Sequence, residues 1–237
     1  MYKILDCTTR DGGHSNNWNF SDEYVFNLID TLNQNGIFYY EIGYRNYYER
    51  ENKGSFYYCT PDLLQKFYSK KGNLKLGIMV DTKRYSETDF ISADNDFSDF
   101  VRIATHPDRI EDTLDIAERL NKKKYNIMIQ LMDVTNLTEY HFNILQRWGK
   151  KNIIETLYLA DTYGIMQPEQ TEKYFNKLRD IGYPNISFHA HNKADKALEN
   201  SLKAINLGVY SLDVTQDDTG INGGNLLYKD LLAAQIL

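Results

Sequence analysis

Short apolar runs of β type recur along the chain and alternate with longer segments that have helical periodicity. Runs of this length, bounded by polar residues, are typical of strands buried in a parallel sheet. The predicted strands are Lys3–Asp6, Ile37–Ile42, Leu74–Val80, Asp99–Ile103, Asn126–Leu131, Thr156–Leu159, Ile186–His189 and Tyr210–Val214. The pattern therefore predicts about eight strand–helix units in series.

The segments between the strands carry recognisable helix start signals. Ser21 is placed as the N-cap of a helix over Ser21–Asn35, and Pro61 stands at the first turn of a helix over Thr60–Lys71. A third helix is predicted over Pro168–Asp180. Because strands and helices alternate, the sheet is expected to be parallel.

The fold prediction is an α/β protein, a (β/α)8 TIM barrel that forms a single domain over residues 1–237. A doubly wound open sheet fits less well, since no glycine-rich phosphate loop follows the first strand. The predicted terminal helix, Leu226–Leu237, ends on an apolar run without a capping residue. That ending suggests a chain cut from a longer protein with a further C-terminal domain.

The composition and charge of the chain exclude several classes of protein. Apolar residues make up 42% of the chain and charged residues 25%, which is enough to build a core. The net charge of -6 argues against nucleic acid as a partner. No apolar run is long enough to cross a membrane, and Asp6 interrupts the first one. We expect a cytoplasmic protein, monomeric or a homo-oligomer, in which Cys7 and Cys59 are reduced buried thiols.

Polar residues follow nearly every apolar run, at the ends where a barrel carries its chemistry. Solvation alone would not select one end of the strands. The polar residues at these positions are Asp6, Arg10, Asp11, Glu41, Arg45, Asp81, Arg102, Thr105, His106, Gln130, Asp133, Asp161, Thr162, His189, His191, Asn192, Asp213 and Gln216.

The sequence His189-Ala190-His191 at the end of the seventh strand is the most specific of these features. Residues i and i+2 of a strand face the same way, so two imidazoles can meet one ion, with a carboxylate completing the set. The alternative is one capping and one solvated histidine, which the rim position disfavours. His141 is expected to be exposed on a helix, and His106 is left open.

Several motifs together resemble the DRE-TIM metallolyase superfamily, which includes HMG-CoA lyase, isopropylmalate and homocitrate synthases and 4-hydroxy-2-oxovalerate aldolase. The resemblance spans the whole chain, in order and spacing. Its motifs are DCTTRDGG at residues 6–13, EIG at 41–43, ADTYG at 160–164, HAHN at 189–192 and GGN at 223–225. Thr9 replaces the usual leucine, and the loop at residues 216–220 is less glycine-rich than in the family.

The resemblance implies a metal held by Asp11, His189 and His191 with Asn225 nearby, and Arg10 hydrogen-bonded to the substrate's enolate oxygen. Mn²⁺ or Mg²⁺ is favoured, while Zn²⁺, Co²⁺ and Fe²⁺ stay open. A 2-oxo acid can chelate such an ion through its carboxylate and ketone oxygens. The substrate contacts expected around it are Tyr44, Arg45, Arg102, Gln130 and Thr162.

Three functions follow as hypotheses. The first is an aldolase that cleaves or forms a 4-hydroxy-2-oxo acid, yielding pyruvate and an aldehyde, with His14 as the general base that the aldolases carry at this place. The second is a Claisen-type acyl-CoA lyase or acyltransferase with Glu41 as base. The third is a non-catalytic metal-binding barrel within a larger protein.

Overall fold

The structure is a computed structural model that describes residues 2–46 and 52–234. Eight parallel strands close into a barrel in the order β1 to β8, and β8 pairs with β1 from Lys3 opposite Ser211 to Asp6 opposite Val214. The strands are β1 (Lys3–Asp6), β2 (Tyr39–Tyr44), β3 (Lys75–Asp81), β4 (Phe100–Thr105), β5 (Ile127–Leu131), β6 (Ile154–Asp161), β7 (Ile186–Ala190) and β8 (Ser211–Val214). The predicted (β/α)8 barrel is confirmed.

Helices connect the strands, and the connection after β1 contains two of them. The helices are α1 (Thr8–Asn16), α2 (Asp22–Gln34), α3 (Pro61–Tyr68), α4 (Ile110–Lys122), α5 (Glu139–Arg147), α6 (Pro168–Asp180), α7 (Ala197–Asn206) and α8 (Tyr228–Ala233). The predicted terminal helix is therefore shorter within the described residues, and residues 235–237 lie outside them.

Helices α2 and α3 begin where the sequence predicted, with Ser21 as the N-cap of α2 and Pro61 in the first turn of α3. The Ser21 hydroxyl oxygen accepts a hydrogen bond from the Tyr24 amide at the start of α2, and that of Thr60 accepts one from the Leu63 amide at α3. These bonds satisfy amides that have no partner inside the helix, and such caps contribute about 1 kcal/mol each. Local signals of this kind explain why these boundaries could be predicted.

Helix α1 was not predicted, because its sequence contains Gly12 and Gly13, which have low helix propensity. Tertiary contacts stabilise it instead. The Asp6 carboxylate accepts a hydrogen bond from the Thr8 amide at its start, and the Trp18 indole donates to the Arg10 carbonyl at 2.8 Å. A Cβ atom at residue 13 would overlap the Trp18 ring, so glycine is required there.

The core has two parts. A large apolar layer lies between the barrel and its helices, and a smaller cluster fills the barrel interior. The interior cluster is Leu5, Cys7, Tyr39, Phe100, Met128 and Tyr158. Cys7 and Cys59 are buried free thiols, as predicted. No helix in the described ranges has both the length and the hydropathy that a bilayer crossing requires.

Candidate metal centre and active site

A cavity of about 380 Å³ opens at the carboxyl ends of the strands, where the predicted rim residues converge. Most of its wall comes from α1, from the segment after β2, and from the ends of β5 to β7. The lining residues are Arg10, Asp11, His14, Trp18, Tyr44, Asn46, Lys53, Tyr57, Met79, Asp81, Arg84, His106, Gln130, Met132, Ala160, Thr162, His189, His191 and Ile221.

Asp11, His189 and His191 form a cluster at the floor of this cavity. Each offers one ligand atom, and these atoms lie within 4.8 Å of one another. All three residues are at least 96% buried, since their exposed fractions are 1%, 1% and 4%. His191 Nε2 is 3.4 Å from Asp11 Oδ2. The structure therefore brings together the three residues that were expected to hold a metal.

The hydrogen bonds of the two histidines leave the correct nitrogens for a cation. His189 Nδ1 contacts Asp213 Oδ2 at 2.8 Å, and His191 Nδ1 donates to the Asp161 carbonyl at 3.0 Å. The Nε2 atoms are buried but make no well-formed hydrogen bond. Buried polar atoms normally have partners, and metal-bound histidines use their second nitrogen in this way. The arrangement fits a metal ion.

Asn225 extends the cluster. Its amide nitrogen donates to Asp11 Oδ2 at 2.6 Å and to the Thr219 carbonyl at 3.2 Å, while its Oδ1 is buried without a partner. Carboxamide oxygens are suitable ligands for hard divalent ions. The predicted position of Asn225 next to the other three residues is thus observed, and its oxygen is available as a further donor.

Electrostatics favour the protonation states that bind metal. Burial raises the pKa of the Asp11 carboxyl, but the Arg10 guanidinium and the two histidines outweigh it and hold that pKa well below its usual range. Burial lowers the pKa of His189. An ionised carboxylate and a neutral imidazole are the forms that coordinate a cation.

Arg10 lines the cavity and has one guanidinium nitrogen without a hydrogen-bond partner. Its Nη1 contacts Asp11 Oδ1 and its Nε contacts Glu41 Oε1, each at 2.5 Å. Nη2 is buried and has no partner. Two carboxylates therefore fix the guanidinium while one N–H group stays available, which is the arrangement that stabilises a developing oxyanion.

His14 lies on α1, one turn after Asp11, and lines the cavity. It stands in the last turn of that helix. Its ring packs edge-on against Trp18 at 4.6 Å between centroids. Although the side chain keeps contact with solvent, desolvation by the surrounding protein lowers the pKa of His14 from the ordinary value of 6.5. At neutral pH the ring is therefore mainly unprotonated.

Three of the expected substrate contacts lie on the cavity wall: Tyr44, Gln130 and Thr162. Gln130 is 3% exposed, and its side-chain amide oxygen Oε1 has no hydrogen-bond partner. The Thr162 hydroxyl accepts a hydrogen bond from the Asp133 amide at 2.7 Å, which fixes its position. Burial raises the pKa of Tyr44 to about 12, so its hydroxyl remains a donor.

Arg45, Arg102 and Glu41 are not among the cavity-lining residues. Arg45 bonds Asp96 at 2.6 Å and the Cys59 carbonyl at 2.9 Å, away from the cavity. Arg102 and Glu41 are fully buried and bonded to each other beneath it. The sequence gives the strand end on which a residue lies but not its depth in the barrel, so these contacts were misplaced.

Two histidines and one aspartate have surroundings that the sequence did not indicate. His106, left open before, lines the cavity. His141, expected to be exposed, is half-buried, and its Nδ1 accepts the Thr138 amide at 2.9 Å at the start of α5. Asp213 contacts a metal-cluster histidine although it was noted only as a rim residue. Its signal was a carboxylate inside a short apolar strand, Ser211–Val214.

A closed (β/α)8 barrel whose mouth holds a carboxylate, two histidines and a fixed arginine donor is the arrangement expected of a metal-dependent carbon–carbon lyase. The model of the HMGL-like family matches residues 102–236. The chain therefore belongs to the HMGL-like family, the DRE-TIM metallolyases that its motifs resemble.

Named relatives agree with this assignment. An oxaloacetate decarboxylase of Mycobacterium tuberculosis is 28% identical over 98% of this chain and 69% of its own length. A 4-hydroxy-2-oxovalerate aldolase of Carboxydothermus hydrogenoformans is 25% identical over 98% of this chain and 69% of its own. These names support the prediction that the protein is an enzyme, a carbon–carbon lyase of a metal-dependent family.

Solved structures show the same architecture. The N-terminal domain of a proposed aldolase from Bacteroides vulgatus is 27% identical with a TM-score of 0.88, covering 98% of this chain and 78% of that one. HMG-CoA lyase from Bacillus subtilis is 19% identical with a TM-score of 0.76, covering 98% and 85%. The second likeness concerns the fold alone.

Proposed function

We propose that this protein is an aldolase that cleaves or forms a 4-hydroxy-2-oxo acid, with pyruvate and an aldehyde on the other side of the reaction. The observation that carries the proposal is the placement of His14 in the same cavity as the Asp11 cluster and the free Nη2 of Arg10. A base, an oxyanion donor and a cation site are the three groups that metal-assisted aldol cleavage needs.

Asp11, His189 and His191 would hold a divalent ion, with Asn225 as a further oxygen donor. When bound, the ion supplies a Lewis acid that polarises the 2-oxo group of the substrate. Mn²⁺ or Mg²⁺ remains the favoured choice from the family resemblance. Oligomeric state, a further C-terminal domain and a cytoplasmic location remain predictions.

In the cleavage direction, His14 removes the proton of the 4-hydroxyl group. The C3–C4 bond breaks, its electron pair forms the enolate of pyruvate, and the former hydroxyl carbon becomes the aldehyde. Arg10 Nη2 donates to the enolate oxygen, and a proton delivered to C3, which balances the one that His14 removed, gives pyruvate. Because two carboxylates fix Arg10 before substrate binds, it needs little reorganisation as the charge develops. Gln130, Tyr44 and Thr162 orient the substrate.

A second candidate is decarboxylation of a 2-oxo dicarboxylate, favoured by the 28% identity with an oxaloacetate decarboxylase. It yields the same enolate, so Arg10 and the cation site serve both reactions. It has no hydroxyl proton to remove, and His14 would be dispensable. The Claisen-type alternative is less favoured, because Glu41 does not line the cavity and both of its carboxylate oxygens accept hydrogen bonds from arginines.

The test uses protein stripped of metal by a chelator and reloaded with Mn²⁺. Pyruvate release is measured from a panel of 4-hydroxy-2-oxo acids and from oxaloacetate, with His14→Gln beside the wild type. A parallel assay with acetyl-CoA and a 2-oxo acid detects free thiol. Metal-dependent pyruvate from the hydroxy acids that His14→Gln abolishes supports the aldolase. Activity on oxaloacetate alone, unaffected by His14→Gln, identifies the decarboxylase, and thiol release identifies the Claisen reaction.

A further inference from the structure

A chain of buried charged groups runs beneath the cavity, with Arg102 at its centre. Arg102 Nε and Nη2 donate to the two carboxylate oxygens of Glu41 at 2.6 and 2.5 Å. Its Nη1 donates to Asp213 Oδ2 at 2.5 Å. All three residues are at most 2% exposed, and Arg102 is not one of the residues that line the cavity.

The two carboxylates that Arg102 holds each lead to a different part of the site. Glu41 Oε1 also accepts from Arg10 Nε, at 2.5 Å. Asp213 Oδ2 also contacts His189 Nδ1, at 2.8 Å. One guanidinium thus connects the arginine that faces the enolate with a histidine of the metal cluster.

We propose that Arg102 is a positioning residue that orients both Arg10 and His189 from beneath the cavity. The proposal rests on the proposed roles of those two residues. Through Glu41, Arg102 directs the free Nη2 of Arg10 into the cavity. Through Asp213, it fixes the ring of His189 so that Nε2 faces Asp11 and His191.

The geometry requires an arginine. Arg102 uses three donors at once, two in a parallel fork on Glu41 and one on Asp213. A lysine ammonium is a single point charge on a flexible stem and cannot hold both carboxylates in this geometry. Arg102→Lys keeps the charge and removes the connection, which makes it the decisive substitution.

The charges around the connection also suit a cation. Asp11, Glu41 and Asp213 contribute three carboxylates, while Arg10 and Arg102 contribute two guanidinium groups. These five buried groups therefore carry one net negative charge. The two guanidinium groups offset two of the three carboxylate charges, and a bound cation would offset the third.

The experiment compares Arg102→Lys, Asp213→Asn and Glu41→Gln. The Mn²⁺ dissociation constant is obtained from the electron paramagnetic resonance signal of free Mn²⁺, and kcat is measured at saturating Mn²⁺. We expect Asp213→Asn to weaken Mn²⁺ binding about 10- to 100-fold, as loss of such partners does. Glu41→Gln should keep the dissociation constant within about threefold while kcat falls, and Arg102→Lys should show both effects.

Double variants separate positioning from general damage. If Arg102 acts through Asp213, Arg102→Lys/Asp213→Asn binds Mn²⁺ no more weakly than Asp213→Asn alone. If it acts through Glu41, Arg102→Lys/Glu41→Gln has no lower kcat than Glu41→Gln alone. Arg45→Lys is the matched control, because Arg45 is also a buried arginine paired with a buried carboxylate, Asp96. It should lower the melting temperature and leave the Mn²⁺ dissociation constant unchanged.

Two outcomes overturn the proposal. In the first, the folded Arg102→Lys protein binds Mn²⁺ and turns over as the wild type does. In the second, the effects of the single substitutions on the Mn²⁺ dissociation constant and on kcat simply multiply in the double variants. If Arg102→Lys fails to fold, the kcat of the double variant Glu41→Gln/Asp213→Asn tests the proposal instead. A shared connection predicts that its loss of kcat is smaller than the product of the single losses, and strict multiplication overturns it. The Mn²⁺ measurements need no substrate, so a wild type that binds Mn²⁺ but releases no pyruvate would contradict the proposed function alone.

Discussion

The two ends of the barrel both carry polar clusters, but only one leaves its donors and acceptors unpaired. At the amino-terminal base, Lys3 donates to the hydroxyls of Tyr39 and Tyr210 at 2.9 and 2.5 Å and pairs with Glu155 at 3.3 Å. Both tyrosines also donate to Glu155. None of these atoms is among the buried unpartnered atoms of the described residues.

The mouth shows the opposite. Several buried atoms without a partner belong to residues that line the cavity or contact the Asp11 cluster, among them Arg10 Nη2, Gln130 Oε1, His189 Nε2, His191 Nε2 and Asn225 Oδ1. Leaving a buried polar atom unpaired costs about 1–3 kcal/mol. The comparison indicates that the base stabilises the barrel, whereas the mouth keeps its atoms for a ligand.

The largest effect should come from the metal cluster. Asp11→Ala or His191→Ala removes a ligand, and we expect loss of Mn²⁺ binding with a fall in kcat of about 10³-fold or more, since a Lewis acid contributes several kcal/mol. Free Mn²⁺ measured by paramagnetic resonance checks the first effect and pyruvate release the second. Tight Mn²⁺ binding by both variants would show that the unpartnered atoms do not mark the metal site.

The next effect concerns His14. His14→Gln should lower kcat for a 4-hydroxy-2-oxo acid about 10²- to 10⁴-fold. The base acts unprotonated, and its pKa is lowered from the ordinary value of 6.5. Wild-type kcat/KM should therefore stay constant above neutral pH and fall only on the acid side of 6.5. The variant should lose this acid limb, and an unchanged pH profile would exclude His14 as the base.

Arg10 tests the oxyanion donor. Arg10→Ala should retain Mn²⁺ and lower kcat about 10²- to 10³-fold, because one oxyanion donor is removed. The check is the ratio of kcat values at saturating Mn²⁺ with metal content measured in the same samples. Full activity in this variant would remove the enolate role of Arg10.

The smallest effect on function is expected at the base. Glu155→Ala leaves the hydroxyls of Tyr39 and Tyr210 without their acceptor, which should cost about 1–3 kcal/mol of unfolding free energy. The melting temperature should fall about 2–4 °C per kcal/mol. Mn²⁺ binding and KM should not change. A weakened Mn²⁺ affinity would mean that the two ends are coupled, against the comparison.

Sequence reasoning succeeded where the signal was local. Ser21 and Thr60 cap their helices by bonds to residues three positions ahead, and apolar runs identified each strand within a few residues. The pair His189 and His191 faces one site because alternate strand residues share a side. Such patterns depend on neighbouring residues only, so the sequence contains them.

Sequence reasoning failed where the outcome depended on distant contacts. Helix α1 exists because Trp18 and Asp6 support a glycine-containing segment, which propensity alone disfavours. Arg45 and Arg102 resemble rim residues in the sequence, but the stagger of the strands places Arg102 below the cavity. Depth in a barrel depends on all eight strands together, and no local pattern records it.

Closure of β8 onto β1 has a consequence for the biosynthesis of the protein. Asp11 follows β1 and Asn225 follows β8, and the Asn225 amide donates a hydrogen bond of 2.6 Å to the Asp11 carboxylate. A growing chain therefore cannot bring these two residues together until β8 has formed and paired with β1. A cation present at 100 times its dissociation constant would add about 2.7 kcal/mol to the finished fold alone. A bound cation would therefore stabilise the barrel only after β8 has closed onto β1.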